Sequence, residues 1–118
     1  MTEEQHVFKK IEWIGDGVLR LAAVDLCNEI VENRYNAPET IDYLVSTKIL
    51  ALIARMKKLT PHKNDPGQKG HQKQLANAYE YSIGQVYYID KLKAIAAAQA
   101  DLQHFYENQD IYFAKKQA

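Results

Sequence analysis

Apolar residues recur along this chain at spacings of three and four, the rhythm of helices that bury one stripe. In the first long segment Ile11, Ile14, Val18, Leu21, Ala22 and Leu26 follow it, which predicts a helix over about residues 9–33. Asn36-Ala37-Pro38 interrupts the pattern, and Pro38 suits the first turn of a second helix, about 38–59. Its stripe is Ile41, Leu44, Val45, Ile49, Leu52, Ile53 and Met56. Thr60-Pro61, Asn64-Asp65-Pro66-Gly67 and Gly70 punctuate residues 60–70 as a loop. A third helix is predicted over about 71–89, with Leu75, Ala76, Tyr79, Ile83, Val86 and Tyr87 on its apolar side. A fourth, about 91–107, contains the alanine-rich run Ala94 to Ala98, and residues 108–118 read as a short helix or a frayed tail. Strand-like alternation, internal repeats and heptads are absent from the pattern. The predicted class is all-α, and 118 residues predict a single domain.

Composition adds exclusions. With 47% hydrophobic residues and 10% aromatics the chain is not expected to be disordered. The longest strongly apolar run, Ile49 to Ala54, is far short of the ~20 residues a membrane helix needs. The N-terminus, MTEEQH, is acidic with no apolar run behind it, so no signal peptide is expected. The lone Cys27 has no internal disulfide partner; it fits a reducing, cytoplasmic setting and reads as a small apolar core residue. Formal net charge is zero, which alone argues against a nucleic-acid partner. The sum hides a pattern: residues 1–54 carry 5 basic and 9 acidic groups, residues 55–73 carry 6 and 1, and residues 74–118 carry 4 and 5. The positive charge is concentrated in the Pro- and Gly-containing stretch.

Two predicted helices carry acids where helix stability does not favour them. Glu12 and Asp16 are four apart, so their carboxylates share a face and repel unless a cation lies between them. Gly15 and Gly17 sit beside them, each costing ~1 kcal/mol against alanine in mid-helix, and a glycine there is best tolerated where something approaches the backbone closely. On the third helix Asn77 and Glu80 are three apart, with Gly84 four further on. Two helices that each offer two oxygen donors can converge on a hard divalent cation, and three carboxylates with one amide suit Mg²⁺. Either pair alone is more often a solvated helix face. His62 and His71 lack the cysteine spacing of a structural zinc site. Neither Ser46 nor Ser82 lies in a nucleophile motif, and there is no glycine-rich phosphate loop.

The strings around these residues resemble a known family. KIEWIGDGVLRL (residues 10–21) resembles the ribonuclease III signature, a Glu-aromatic-aliphatic-Gly-Asp segment entering an apolar helix. LANAYEYSIGQVYYID (75–90) resembles the second motif of that family, LVSTKILALIA (44–54) its middle helix in the short Mini-III branch, and QKGHQKQLANAYE (68–80) its basic approach to the second motif. The resemblance covers most of residues 9–92. It implies an all-α, homodimeric endonuclease domain that cleaves double-stranded or structured RNA by metal-activated water attack, with Mg²⁺ as cofactor and Mn²⁺ as a substitute. It also implies that Glu12, Asp16, Asn77 and Glu80 are metal ligands, with Asn77 at the place of the second-motif aspartate, and that Asp16 and Glu80 are indispensable to catalysis. Trp13 would anchor the dimer; on residue type alone it reads equally well as a core side chain of its own subunit. Lys63, Lys69, His71 and Lys73 would contact RNA phosphates, or else form a solubilising loop. Tyr79, Tyr81, Tyr87 and Tyr88 read as packing residues, since double-stranded RNA hides its bases.

The chain departs from the family in several places. Asn77 is neutral where most members have Asp, although the Mini-III branch also lacks that acid. Lys9 stands where a further acid is frequent, the middle helix is about one turn short and lacks an arginine before Leu44-Val45, and no double-stranded-RNA-binding domain is expected. In an active site weakened by these departures, Asn77→Asp is expected to bind Mg²⁺ better and cut faster at limiting metal, whereas a silent scaffold would show no gain. The departures also support a second expectation: a catalytically silent protein of the same fold that binds RNA or a ribosomal particle.

Overall fold

The computed structural model describes residues 1–30, 37–67 and 70–117. It contains six helices: α1 Glu3–Ile30, α2 Ala37–Leu44, α3 Thr47–Met56, α4 His71–Ile89, α5 Lys91–Glu107 and α6 Gln109–Gln117. There is no strand among the described residues, and none of the described helices is long and apolar enough to cross a membrane.

The α4 and α5 boundaries coincide with those that the sequence pattern predicts. Asp90 separates the two in an extended conformation, and its carboxylate caps α5 by accepting from Lys93 N at 3.1 Å. Three other boundaries differ. α1 begins at Glu3, six residues earlier than the apolar rhythm indicates, because Phe8 is buried and Glu3 and Glu4 complement the helix N-terminus. Its predicted extension over 31–33 lies outside the described residues.

The single predicted helix 38–59 is two helices. Ser46 is extended and caps α3, accepting from Ile49 N at 3.4 Å and donating to Tyr43 O at 2.8 Å. The apolar run continues straight across this break, which is why periodicity conceals it. α3 ends at Met56 through a Schellman-type closure, with Leu59 N on Ala54 O at 2.9 Å and Lys58 N on Arg55 O at 3.0 Å. Lys58 takes the positive φ of +59° that glycine usually supplies there. The C-terminal stretch is helix α6, which delivers Tyr112 to the core.

α3 forms the centre: all six residues from Ile49 to Ala54 are buried. Around them lie Leu19, Ala22, Ala23 and Leu26 of α1, Leu75, Ala76, Tyr79 and Ile83 of α4, and Ala94, Ala98, Leu102 and Phe105 of α5. Leu21, expected on the buried stripe, is 47% exposed; Leu19 takes the core position instead. Cys27 is buried, and burial pushes its thiol pKa up, as expected of an apolar packing residue.

α1 packs most extensively on α4, and glycines set how closely the two approach. A Cβ on Gly15 would lie 1.7 Å from Glu80 O, and a Cβ on Gly84 would lie 2.0 Å from Ile11 O. Residues 11 and 15 thus meet 84 and 80, so the helices run antiparallel with each backbone resting on a glycine of the other. The close approach that Gly15 permits is therefore that of a neighbouring helix. A Cβ on Gly17 meets nothing within 4 Å, and nothing in the fold accounts for that glycine. Gly15→Ala and Gly84→Ala are each expected to lower stability by at least ~2 kcal/mol, because backbones must separate. Gly17→Ala is expected to raise it by up to ~1 kcal/mol through helix propensity. Chemical denaturation of the three variants checks both signs.

Candidate functional site

The glycine crossing fixes where the acids meet. Asp16 follows Gly15, Glu12 follows Ile11, and Glu80 is the residue whose carbonyl rests on Gly15. Glu12 and Glu80 are buried and Asp16 is half-buried. All three line one cavity of about 570 Å³, shared with Lys9, Lys10, Trp13 and Lys73.

The charges in this cavity are not independent. Glu80, 6% exposed, has its carboxyl pKa pushed up to about 8, first by burial, then by its hydrogen bond to Asp16 and the negative charges of Asp16 and Glu12. Lys73 opposes the shift without cancelling it. At neutral pH Glu80 therefore holds a proton, and its hydroxyl donates to Asp16. A proton held between two carboxylates marks a place where positive charge is favoured. Glu12 finds its positive charge within the chain, from Lys9 Nζ at 2.8 Å. Crowded oxygen donors from two rigid helices fit a hard cation. As the side chains stand, no group of three His, Cys, Asp or Glu among the described residues is in metal-holding geometry.

The predicted residues thus divide. Glu12, Asp16 and Glu80 are brought together, with Lys73 beside them. Asn77 does not line the cavity. It is buried, and its Nδ2 donates to Asp65 Oδ2 at 3.0 Å. Lys63 and His71 are exposed and do not line the cavity, and Lys69 lies outside the described residues. Trp13 is 77% exposed, so it is not a core side chain of its own subunit. Tyr79 is packing, as read: it is fully buried, and its hydroxyl donates to Asp101 Oδ2 at 2.6 Å. Asp101 is in turn paired with Lys57 Nζ at 3.0 Å.

Two contributors escape the sequence reading. Lys10 lines the cavity beside Lys9. Asp65, in the loop ahead of α4, binds Asn77; its Asp-Pro-Gly context signals a turn but gives no hint of the partner. Comparison with family models, with curated proteins and with solved structures finds no match to this chain.

The protonated Glu80 has a thermodynamic signature. Its carboxyl releases a proton near 4.5 when unfolded and near 8 when folded, so between those values the folded chain holds the extra proton. Stability of the metal-free protein is expected to be greatest at the acid side of this window and to fall as pH rises through it, by up to ~1.4 kcal/mol per unit. Glu80→Gln should flatten that slope. Urea denaturation in a chelating buffer at pH 5, 6.5 and 8 measures it.

Proposed function

We propose that this chain is a metal-dependent endoribonuclease of the ribonuclease III type, acting as a homodimer on double-stranded or structured RNA. The observation that carries the reading is the convergence of Glu12, Asp16 and Glu80 on one cavity. These residues lie within the two segments that resemble the family motifs. Glu12, Asp16 and Glu80 would hold Mg²⁺, or Mn²⁺ in its place. The ion, when bound, supplies the charge that activates water and offsets negative charge on a phosphodiester. The chain contributes a rigid donor set and the lysines Lys9, Lys10 and Lys73, whose ammonium groups attract RNA phosphates to the same mouth. Lys63, Lys69 and His71 would extend that contact.

Dimerisation is supported by α1. Trp13, Leu21 and Val24 are exposed and spaced eight and three apart, which aligns them with Gly17 along one outward stripe. A stripe with tryptophan at one end and a glycine that leaves room suits a second copy of the same helix.

The Lys9–Glu12 pair favours the second reading, a silent protein of this fold that binds RNA, because an internal cation already occupies one donor. Incubation with long double-stranded RNA and Mg²⁺ separates the two. The wild type is expected to cut, and Asp16→Asn and Glu80→Gln to cut ~100-fold more slowly or less. Salt-sensitive RNA binding with no cleavage would instead establish the silent reading. Sedimentation velocity tests the dimer: Trp13→Ala should weaken association by ~2 kcal/mol or more, about thirtyfold. A wild type that sediments as a monomer at tens of micromolar removes the homodimer from the proposal.

A further inference from the structure

Among the described residues other than glycine, Lys58 alone takes a positive φ, +59°. A side chain in that region is strained, and such strain concentrates at ligand clamps. The closure of α3 does not need a lysine there. Lys57 N donates to Ile53 O, Lys58 N to Arg55 O and Leu59 N to Ala54 O, so backbone amides already cover the last carbonyls. Nor is its ammonium spent on an acid. Lys57 pairs with Asp101 at 3.0 Å, whereas Lys58 has no ion-pair partner among the described residues.

Lys58 lines a cavity of about 380 Å³ with Thr60, His62, Tyr81, Ser82 and Gln85. This cavity shares no lining residue with the acid cavity, and no carboxylate lines it. Several donors at its wall are unspent. The Thr60 hydroxyl has no partner among the described residues. The Tyr81 hydroxyl accepts from Gln85 Nε2 at 3.3 Å, which leaves its own proton free. Burial and the charge of Lys63 lower the pKa of His62, so its ring is uncharged at neutral pH. His62 Nδ1 accepts from Asn64 N at 3.0 Å, so the ring proton is on Nε2, again unspent. Ser82 is the exception, since its hydroxyl donates to Tyr79 O at 2.6 Å. The acid whose charge His62 feels, Asp65, is bonded to Gly67 N and Asn77 Nδ2. His62 and Tyr81 also line a neighbouring cavity of about 300 Å³, and there Glu3 and Glu4 stand at the wall. An anion is excluded from that side and admitted on the side of Lys58.

We propose that the Lys58 cavity binds a phosphate group, with the Lys58 ammonium as countercharge and Thr60, His62 and Tyr81 as donors. Charge-assisted hydrogen bonds to phosphate oxygens are the strong kind, and lysine serves as the point charge in such sites. The cavity exceeds a bare phosphate, and Leu59 and the Tyr81 ring give a sugar apolar surface to rest on. The site does not depend on whether the acid cavity cuts RNA.

The test titrates inorganic phosphate into the protein at constant ionic strength, followed by the amide resonances of residues 58–60 and 81–85. Saturable shifts are expected. Lys58→Gly keeps the positive φ without strain. Its phosphate affinity should fall about tenfold or more while its unfolding temperature stays the same or rises. Lys58→Arg should keep most of the binding, and Tyr81→Phe should lose part of it with the ring packing intact. Tighter binding of a nucleoside 5′-monophosphate than of inorganic phosphate supports a terminal phosphate as the ligand. Displacement of phosphate by duplex RNA with 5′-hydroxyl ends supports a backbone phosphodiester. A wild type with no saturable shift at tens of millimolar phosphate overturns the site. So does Lys58→Gly binding like the wild type. Lowered unfolding temperatures in both Lys58→Gly and Lys58→Asn would assign Lys58 to the fold and overturn the proposal too.

Discussion

The arrangement hangs on two helix backbones touching. Glycines at 15 and 84 let α1 and α4 approach until each rests on a carbonyl of the other, Glu80 O on Gly15 and Ile11 O on Gly84. At ordinary helix separations of 8–10 Å, side chains fill the gap and set the spacing. Here the missing Cβ atoms bring the helices closer, and carboxylates one residue from the contacts are drawn together as a consequence. Glu12, Asp16 and Glu80 need no flexible loop to meet: two helices pinned at two points specify them. A site set on rigid elements holds its geometry more tightly than one set on loops.

That closeness has an electrostatic consequence. Three acids on adjoining helix faces would repel, and the fold answers with a proton on Glu80 and the Lys9 ammonium on Glu12. Charges of both signs are thus brought together locally as well as balanced globally. In sequence it looks like a basic stretch at 55–73 balancing acidic segments elsewhere. In space Lys9 and Lys10, from the acidic first segment, share the acid cavity with Lys73, from the basic one. Another member of the basic stretch, Lys57, is spent on Asp101. Opposite charges meet side by side, within the cavity. Attraction for a polyanion is correspondingly modest, and it depends on which charges the cavity holds.

How much of this the sequence disclosed follows from what kind of signal each feature leaves. α4 and α5 were legible to the residue because periodicity and turn residues agree at both ends. The break between α2 and α3 was not, because the cap at Ser46 is one polar residue inside an apolar run. The end of α3 was hidden by Lys58, which takes a conformation that normally advertises itself through glycine. The acids were found by spacing alone, since i,i+4 and i,i+3 fix a shared face. Spacing does not report what faces that face. Gly15 was correctly singled out as permitting close approach, yet only the fold identifies the approaching group as Glu80 O. Asn77 is the sharpest case. Three residues from Glu80, it shares that helix face by rule, but its partner is twelve residues back in the loop.

The Asp65–Asn77 pair shows how a charge held in a loop dictates the residue type on a neighbouring helix. Only one negative charge can be accommodated at a 3.0 Å contact without a proton. Placing it on the helix obliges the loop to be neutral, and placing it on the loop obliges the helix residue to be an amide. The hydrogen bond is satisfied in both cases; what differs is which element holds the charge. With the carboxylate in the loop, that charge is held by Gly67 N–H and by a backbone anchored through His62, Phe8 and Tyr81. The amide at 77 is then the residue type the loop requires.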